Sequence, residues 1–336
     1  MPWKGEKNPY KIWLSEIILQ QTRVDQGLEY YKRFIKAFPT VHKLAKAPET
    51  EVFKLWEGLG YYTRCKNLIA SSKFISEKLN GKFPRTYEEI LKLKGVGPYT
   101  AAAISSFAFN LPYAVLDGNV FRVLSRYFGI VTAIDSAEGK LFFADLAASL
   151  LDKKQPGNYN QTLMDFGAVI CKPQAPLCKE CIFKSRCKSF TESLVNELPV
   201  KEKKIIKKNR WFYYLVIEHR GKLYVRKRGA KDIWENLYEF VLIENDMALT
   251  IEKLKQHIKV IELLGKNKFE IKEVSPVYRQ PLTHQVIKGQ FLNIKIAKPL
   301  PVKDYEAFTP SQLEKLPFPK FIGSYLKDKN VSLNLF

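Results

Sequence analysis

No run in the 336-residue chain reaches the roughly 18 consecutive apolar residues that a membrane-spanning helix needs. The first residues, Met1-Pro2-Trp3-Lys4, lack the basic-then-apolar pattern of a secretory signal. These absences point to a cytosolic globular protein with no membrane partner. Cysteine is scarce: there are five, and four fall between 171 and 187, which in a reducing compartment argues for metal rather than a disulfide scaffold. Internal repeats and low-complexity tracts are absent too, so a solenoid is not expected.

What the chain has in excess is positive charge, a formal +21. Residues 1–190 hold 28 Lys and Arg against 17 Asp and Glu, and the remainder holds 27 against 17. The excess is therefore spread over two halves rather than confined to a tail. That distribution suits a polyanionic partner touched by both halves, although a lysine-rich proteome would give the same count.

Length favours two domains, each able to bury a core. From Pro9 to about Phe128 apolar residues recur at three- and four-residue steps, as in Ile12-Trp13-Leu14-x-x-Ile17-Ile18, with Gly and Pro punctuation between short helices. Thr86-x-x-Glu89 reads as a capping box opening a helix that ends in Gly95-Val96-Gly97, and Pro98 stands at the start of the next. Such a glycine hairpin leaves bare N–H groups at a helix N-terminus, a ready phosphate site, though a plain helical hairpin would look the same. After Cys187 the texture changes. Residues 191–210 read as an exposed basic linker. Beyond it, Trp211–Ile217, Leu223–Lys227, Leu237–Ile243 and Phe291–Ile296 are predicted strands, Arg220-Gly221 and Lys288-Gly289 predicted turns, and Ile251–Ile258 a predicted helix.

Cys171, Cys178, Cys181 and Cys187 follow the pattern Cys-x6-Cys-x2-Cys-x5-Cys. Four thiolates on one short loop can close a zinc site or cradle an iron–sulfur cube; only one pair has the knuckle spacing typical of structural zinc. Cys65 stands apart and reads as a buried apolar residue. Two carboxylates draw notice. Glu16 sits among apolar helix neighbours, where lost solvation would favour its neutral form and suit a general acid. Asp117 lies in Leu116-Asp117-Gly118-Asn119-Val120, where it could equally be an N-cap.

Several stretches together carry a family resemblance. They are Pro9-Tyr10-Lys11-Ile12-Trp13-Leu14-Ser15-Glu16, continuing through Leu19-Gln20-Gln21-Thr22, and Leu55-Trp56-Glu57-Gly58-Leu59-Gly60-Tyr61-Tyr62. Gly95-Val96-Gly97-Pro98-Tyr99-Thr100-Ala101, Asp117-Gly118-Asn119-Val120 and the four cysteines complete the set. On these the chain resembles the endonuclease III superfamily of DNA glycosylases, and closely its MutY-type adenine glycosylase branch. The resemblance implies a mainly α helix–hairpin–helix glycosylase domain over 1–190 with a [4Fe-4S] cluster loop at 171–187. It further implies the 191–210 linker and an α+β MutT-like domain of Nudix fold over 211–336.

The implied reaction is base-excision repair: removal of adenine mispaired with 8-oxoguanine or guanine in double-stranded DNA, by a monomer acting in the cytoplasm at the nucleoid. The base must leave the stack for either acid to reach it. Glu16 would protonate adenine and then assist water, Asp117 would stabilise the sugar cation, and Tyr99 and Asn119 would hold them in place. Where glycosylase/lyases carry a Schiff-base lysine after the hairpin, this chain has Tyr99, which implies a monofunctional enzyme. Gly95, Val96 and Gly97 would bind the DNA backbone, and Gln21, Thr22, Leu59 and Tyr61 would wedge beside the lesion. Leu282-Thr283-His284 matches the family's Phe-Ser-His lesion-reading loop, with Thr283 and His284 keeping the polar groups and Leu282 losing the ring. Trp3, Lys4 and Gln161 match adenine-pocket positions, Lys4 replacing the usual arginine. The chain starts just before Pro2-Trp3, so family residues upstream have no counterpart. Lys172, Lys179, Lys184 and Arg186 on the cluster loop would face DNA phosphates. The Nudix glutamate helix is missing, which implies no pyrophosphatase activity. A glycosylase/lyase and a non-catalytic damage binder are the competing readings.

Overall fold

The protein is described from a computed structural model covering residues 4–202, 206–230, 232–265 and 267–328. Trp3 and residues 203–205 of the basic linker lie outside the described residues. Helices α1 (Pro9–Leu19), α2 (Val24–Ala37), α3 (Val41–Lys46), α4 (Glu49–Trp56), α5 (Tyr62–Lys78), α6 (Tyr87–Leu91) and α7 (Pro98–Phe109) come first. They are followed by α8 (Gly118–Phe128), α9 (Ala137–Leu150), α10 (Pro156–Val169) and α11 (Lys188–Thr191), then by strands β1 (Lys208–His219), β2 (Lys222–Lys227) and β3 (Tyr238–Asn245). Two helices, α12 (Ile251–Lys255) and α13 (Ile258–Leu264), precede β4 (Phe269–Val274), β5 (Tyr278–Pro281), β6 (Gln285–Ile296) and β7 (Glu306–Phe308), and α14 (Pro310–Leu313) and α15 (Lys320–Lys327) end the described chain. The chain forms two compact units: residues 1–46 with 66–204, and residues 47–65 with 205–336. The segment 47–65, read from sequence as part of the first domain, thus groups with the second.

In the first unit α1 is opened by Asn8, whose side chain accepts hydrogen bonds from the backbone N–H groups of Tyr10 and Lys11, with Pro9 at the first helical position. Nearly every residue from Tyr10 to Ile18 is buried, so α1 is a central helix rather than an amphipathic surface one. It packs on α7, whose buried stretch Thr100–Ser106 is built of small residues that permit close approach. Asp117 caps α8 and Gly129 ends it in the left-handed region. Helix α10 crosses α8 at Gly167, where a Cβ would lie 2.7 Å from Asn119 Cβ; only glycine fits that crossing.

The hairpin between α6 and α7 forms where expected, but α6 ends at Leu91, before the glycines, and only the Thr86 half of the capping box is made. Thr86 accepts from Glu89 N at 3.3 Å. Gly95 adopts φ +80° and lies so close to Asn67 that a Cβ would meet Asn67 Cβ at 2.7 Å. Gly97 caps α7, and nothing lies within 4 Å of where its Cβ would be, so the backbone at the hairpin tip is open.

The second unit is built on a seven-stranded sheet in the order β4-β6-β1-β3-β2-β7, with β5 also paired to β6. Strands β1 and β6 run parallel from Lys208↔Gln285 to Glu218↔Lys295, and the other pairings are antiparallel. One face packs on α12 and α13 around Tyr213, Leu215, Val241, Leu254, Leu264 and Ile294. The expected helix over Ile251–Ile258 is instead two short ones broken at Gln256-His257. Arg220-Gly221 does form the β1–β2 turn, both residues having positive φ. Lys288-Gly289 does not turn; it lies inside β6. Gly289 is there because β1 passes so close that a Cβ would fall 2.1 Å from the Phe212 carbonyl oxygen. Trp234 lies in a left-handed turn (φ +63°) just before β3.

Gly289→Ala should therefore cost about 1–3 kcal/mol through forced strand separation, read as a lower midpoint in urea unfolding.

Candidate active site

Glu16 lies on the buried face of α1, 7% exposed. Burial pushes its pKa up to about 7, with the nearby Asp117 charge adding to the rise and the Tyr99 hydrogen bond opposing it. That bond runs from the Tyr99 hydroxyl to Glu16 Oε2 at 2.7 Å. Tyr99 is partly buried, and desolvation together with Glu16 holds its hydroxyl protonated far above the usual range, so it serves as a permanent donor. The hairpin thus delivers to the site a phenol at the second position of α7.

Asp117 stands at the N-terminus of α8 with both oxygens engaged. Oδ1 accepts from Val120 N at 2.7 Å and Oδ2 from the Asn119 side-chain amide at 2.7 Å. Burial raises its pKa while these donors, and Arg122 beyond them, lower it. A carboxylate that accepts two hydrogen bonds at a helix N-terminus is suited to carry charge next to a developing cation.

Behind this pair stand residues that sequence reasoning missed. Arg122, 7% exposed, donates to Asn119 Oδ1 at 2.9 Å, to the Gly118 and Gly167 carbonyls at 3.2 and 2.7 Å, and to the Cys171 carbonyl at 2.7 Å. One turn on, Arg126 donates to the carbonyls of Lys172 at 2.7 Å, Pro173 at 3.3 Å and Leu198 at 3.0 Å, and approaches Cys171 Sγ at 3.6 Å. The available signal was two arginines four apart on a helix otherwise lined by Val120, Val123 and Leu124. Asn160 on α10 was also missed; fully buried, it accepts from Val115 N and donates to the Tyr113 carbonyl, pinning the strand-like segment that leads to Asp117. Gln20 ties the end of α1 to Thr100 beside Tyr99, at 3.1 Å.

The four clustered cysteines all line one cavity of about 420 Å³ whose walls include Leu124, Tyr127, Leu163, Phe166 and Phe183. Short 3-10 turns at Cys178–Glu180 and Lys184–Arg186 shape the loop, and Cys187 Sγ lies 3.5 Å from the Arg126 carbonyl. Burial and the neighbouring thiols raise the Cys178 pKa. Among the described residues no three His, Cys, Asp or Glu side chains are close enough to hold a single ion. Cys65, in the second unit, is fully buried.

Lys4 and Gln161 come together on a third side chain, Asp165, which was not singled out from sequence. Its two oxygens accept from Lys4 Nζ at 2.6 Å and from the Gln161 amide at 3.0 Å. Gln21 follows α1 in a left-handed conformation (φ +53°), and Thr22 turns its hydroxyl back to the Gln20 carbonyl. In the second unit Leu59 is buried and Tyr61 half-exposed. The hydroxyls of Tyr61 and Thr283 lie 2.8 Å apart and share a hydrogen bond. His284 is exposed in the β5–β6 loop, its carbonyl accepting from Lys208 N.

A hairpin-bearing helical unit with one buried and one half-buried carboxyl defines a DNA base-excision protein of the helix–hairpin–helix class, and residues 14–141 match the HhH-GPD superfamily base excision DNA repair protein. Residues 212–328 match the NUDIX domain. The chain is 38% identical over 286 residues to the adenine DNA glycosylase of Buchnera aphidicola subsp. Baizongia pistaciae, covering 84% of this chain and 80% of that one. To the adenine DNA glycosylase of Rattus norvegicus it is 41% identical over 198 residues, 56% of this chain and 38% of that one. It belongs to the adenine DNA glycosylase family. Among solved structures, a thermostable thymine-DNA glycosylase is similar with a TM-score of 0.53 and 30% identity, over 57% of this chain and 88% of that one. An endonuclease III–DNA complex shares the fold at a TM-score of 0.51 and 24% identity, over 56% and 87%.

Removing the Arg122 guanidinium with Arg122→Met would leave three backbone carbonyls, that of Gly167 buried, and the Asn119 amide oxygen short of a donor. A loss of about 2–4 kcal/mol is expected in urea unfolding, with adenine release falling further than stability accounts for.

Proposed function

We propose that this chain excises adenine mispaired with 8-oxoguanine or guanine in double-stranded DNA, as a monofunctional hydrolase. The observation that carries the reading is Glu16, a buried carboxyl poised near neutral pH, hydrogen-bonded to Tyr99 and close enough to Asp117 to feel its charge. Two carboxyls with divergent surroundings divide the work of breaking a glycosidic bond. With adenine flipped out of the duplex, protonated Glu16 gives its proton to N7, and the C1′–N9 bond breaks with its electron pair leaving on the base. Asp117, held by Val120 N and Asn119, stabilises the oxocarbenium-like sugar. Glu16, now a carboxylate, takes a proton from the water that adds to C1′, which restores the acid.

Tyr99 stands where a glycosylase/lyase would need an amine, so no Schiff base can form there. Lys4, Gln161 and Trp3 are assigned to the adenine pocket. The open backbone at Gly95, Val96 and Gly97 is assigned to a DNA phosphate. Gln21, Thr22, Leu59 and Tyr61, with Thr283 and His284, are assigned to the opposite base; Leu282 offers that base no aromatic face. The enzyme acts as a monomer in the cytoplasm at the nucleoid; no helix among the described residues is long and apolar enough to cross a membrane.

The donor set at 171–187 fits a [4Fe-4S] cluster: four thiols line one apolar cavity, with a guanidinium near Cys171. When bound, the cluster supplies iron–thiolate bonds that fix the loop and carries no bond-breaking step. Cys171, Cys178, Cys181 and Cys187 would hold it, and Lys172, Lys179, Lys184 and Arg186 would meet DNA phosphates. Purified protein should therefore contain iron and absorb broadly in the visible; colourless, iron-free protein would overturn the cluster alone.

Glu16→Gln should reduce adenine release from 8-oxoguanine:A duplex by at least about a hundredfold while binding persists. Strand cleavage in the wild type should require added alkali; cleavage without it would favour the lyase reading, and no release from any duplex the damage binder. Glu16 is protonated below about pH 7 and charged above it, so the single-turnover rate should fall as pH rises through about 7. Tyr99→Phe removes the donor that favours the charged form, so it should move that limb to higher pH.

A further inference from the structure

We propose that Arg64 is a positioning residue that holds Tyr61 as a stacking surface for the base opposite the target adenine. The inference rests on the assignment of Tyr61 made above and extends it to the residue that shapes it. The Gly58–Tyr61 loop turns through three left-handed residues, Gly58 at φ +90°, Gly60 at +79° and Tyr61 at +48°. Glycine takes that conformation freely; a tyrosine does not, and it persists only when its surroundings enforce it. Two donors converge on the Gly60 carbonyl, Trp56 Nε1 at 2.9 Å and Arg64 Nη2 at 3.3 Å. The Tyr62 hydroxyl accepts from Gly58 N at 3.2 Å. The loop is thereby fixed on both sides of Leu59.

Arg64 also acts on the ring itself. Its guanidinium carbon lies 5.3 Å from the Tyr61 ring centroid and 5.2 Å from that of Trp56, so one planar cation contacts a buried indole and a half-exposed phenol. The guanidinium is 8% exposed and Tyr61 47% exposed. Burial lowers the Arg64 pKa to about 10, which leaves it charged at neutral pH. A cation removed from water is held more strongly by an aromatic face than one at the surface. Tyr61 is gripped at its tip by the Thr283 hydroxyl and along its ring by Arg64, with the rest left open to a base. A lysine could supply the charge there but not the flat contact with both rings or the fork to Gly60.

The test compares single-turnover rates of adenine release from 8-oxoguanine:A and G:A duplexes. Arg64→Met keeps the unbranched stem without the guanidinium and should lower the ratio of the two rates roughly tenfold, the factor that about 1.4 kcal/mol represents. Arg64→Lys should restore part of it. Tyr61→Ala should lower the ratio at least as far, and the Tyr61→Ala, Arg64→Met double variant no further, because one residue acts through the other. Equal loss on both duplexes, or additive losses in the double variant, would overturn the proposal in favour of a plain folding role. If Arg64→Met does not fold, the same comparison with Arg64→Lys decides. A reduced ratio in Tyr61→Ala with an unchanged one in both Arg64 variants removes the positioning role alone. An unchanged ratio in Tyr61→Ala removes it together with the assignment of Tyr61.

Discussion

Taking a carboxylate out of water costs several kcal/mol unless it is paired or protonated, and among the described residues no cation pairs with Glu16. The surrounding helix leaves it one partner, a phenol that itself stays protonated. The easiest way to lower the cost is to keep a proton on Glu16 at neutral pH, which makes it an acid. Burial of α1 on all sides and the small residues of α7 that let the two helices close are what maintain this condition. Asp117 belongs to the same arrangement with the opposite outcome, its charge sustained by two donors at a helix terminus.

The support behind Asp117 is also electrostatic, but it is built from carbonyl groups. Arg122 and Arg126 are buried cations with no described carboxylate against them; their N–H groups are satisfied by backbone oxygens and one side-chain amide oxygen. Backbone carbonyls hold an arginine without a second buried charge, and they join distant parts of the chain. Asn119, α10, the start of the cysteine loop and the Leu198 carbonyl meet on two neighbouring guanidinium groups. The cysteine loop and the Asp117 carboxylate are therefore linked through two side chains, Arg122 and Asn119.

Much of the helical unit is legible in the sequence because its signals are local: the Asn8 and Thr86 caps, Pro98 after the glycine hairpin, and the three-to-four-residue apolar steps. The acids are less so. The apolar neighbours of Glu16 on its own helix hint at lost solvation, but its full burial comes from other parts of the fold, and its role came from the family resemblance. Arg122 and Arg126 look like a solvated or DNA-facing pair, because nothing local shows which carbonyls will surround them. Gly289 looks like a turn because a glycine needed for strand approach and one needed for reversal are the same letter. Residues 47–65 look continuous with their neighbours in the chain, whereas their grouping with 205–336 depends on contacts hundreds of residues away.

The crossing of α8 and α10 at Gly167 has a bearing on how this site can diversify. Where two helices touch without a side chain between them, their separation is set by backbone thickness and has no slack. A residue of any size at 167 would act as a shim, pushing Asn119 and, through its amide, the charge-bearing oxygen of Asp117. The Asp117 end of this crossing is thus closed to stepwise change. One turn back along α10 the contacts are of another kind, Asp165 meeting Lys4 and Gln161 through side chains, which substitution can alter without moving a backbone.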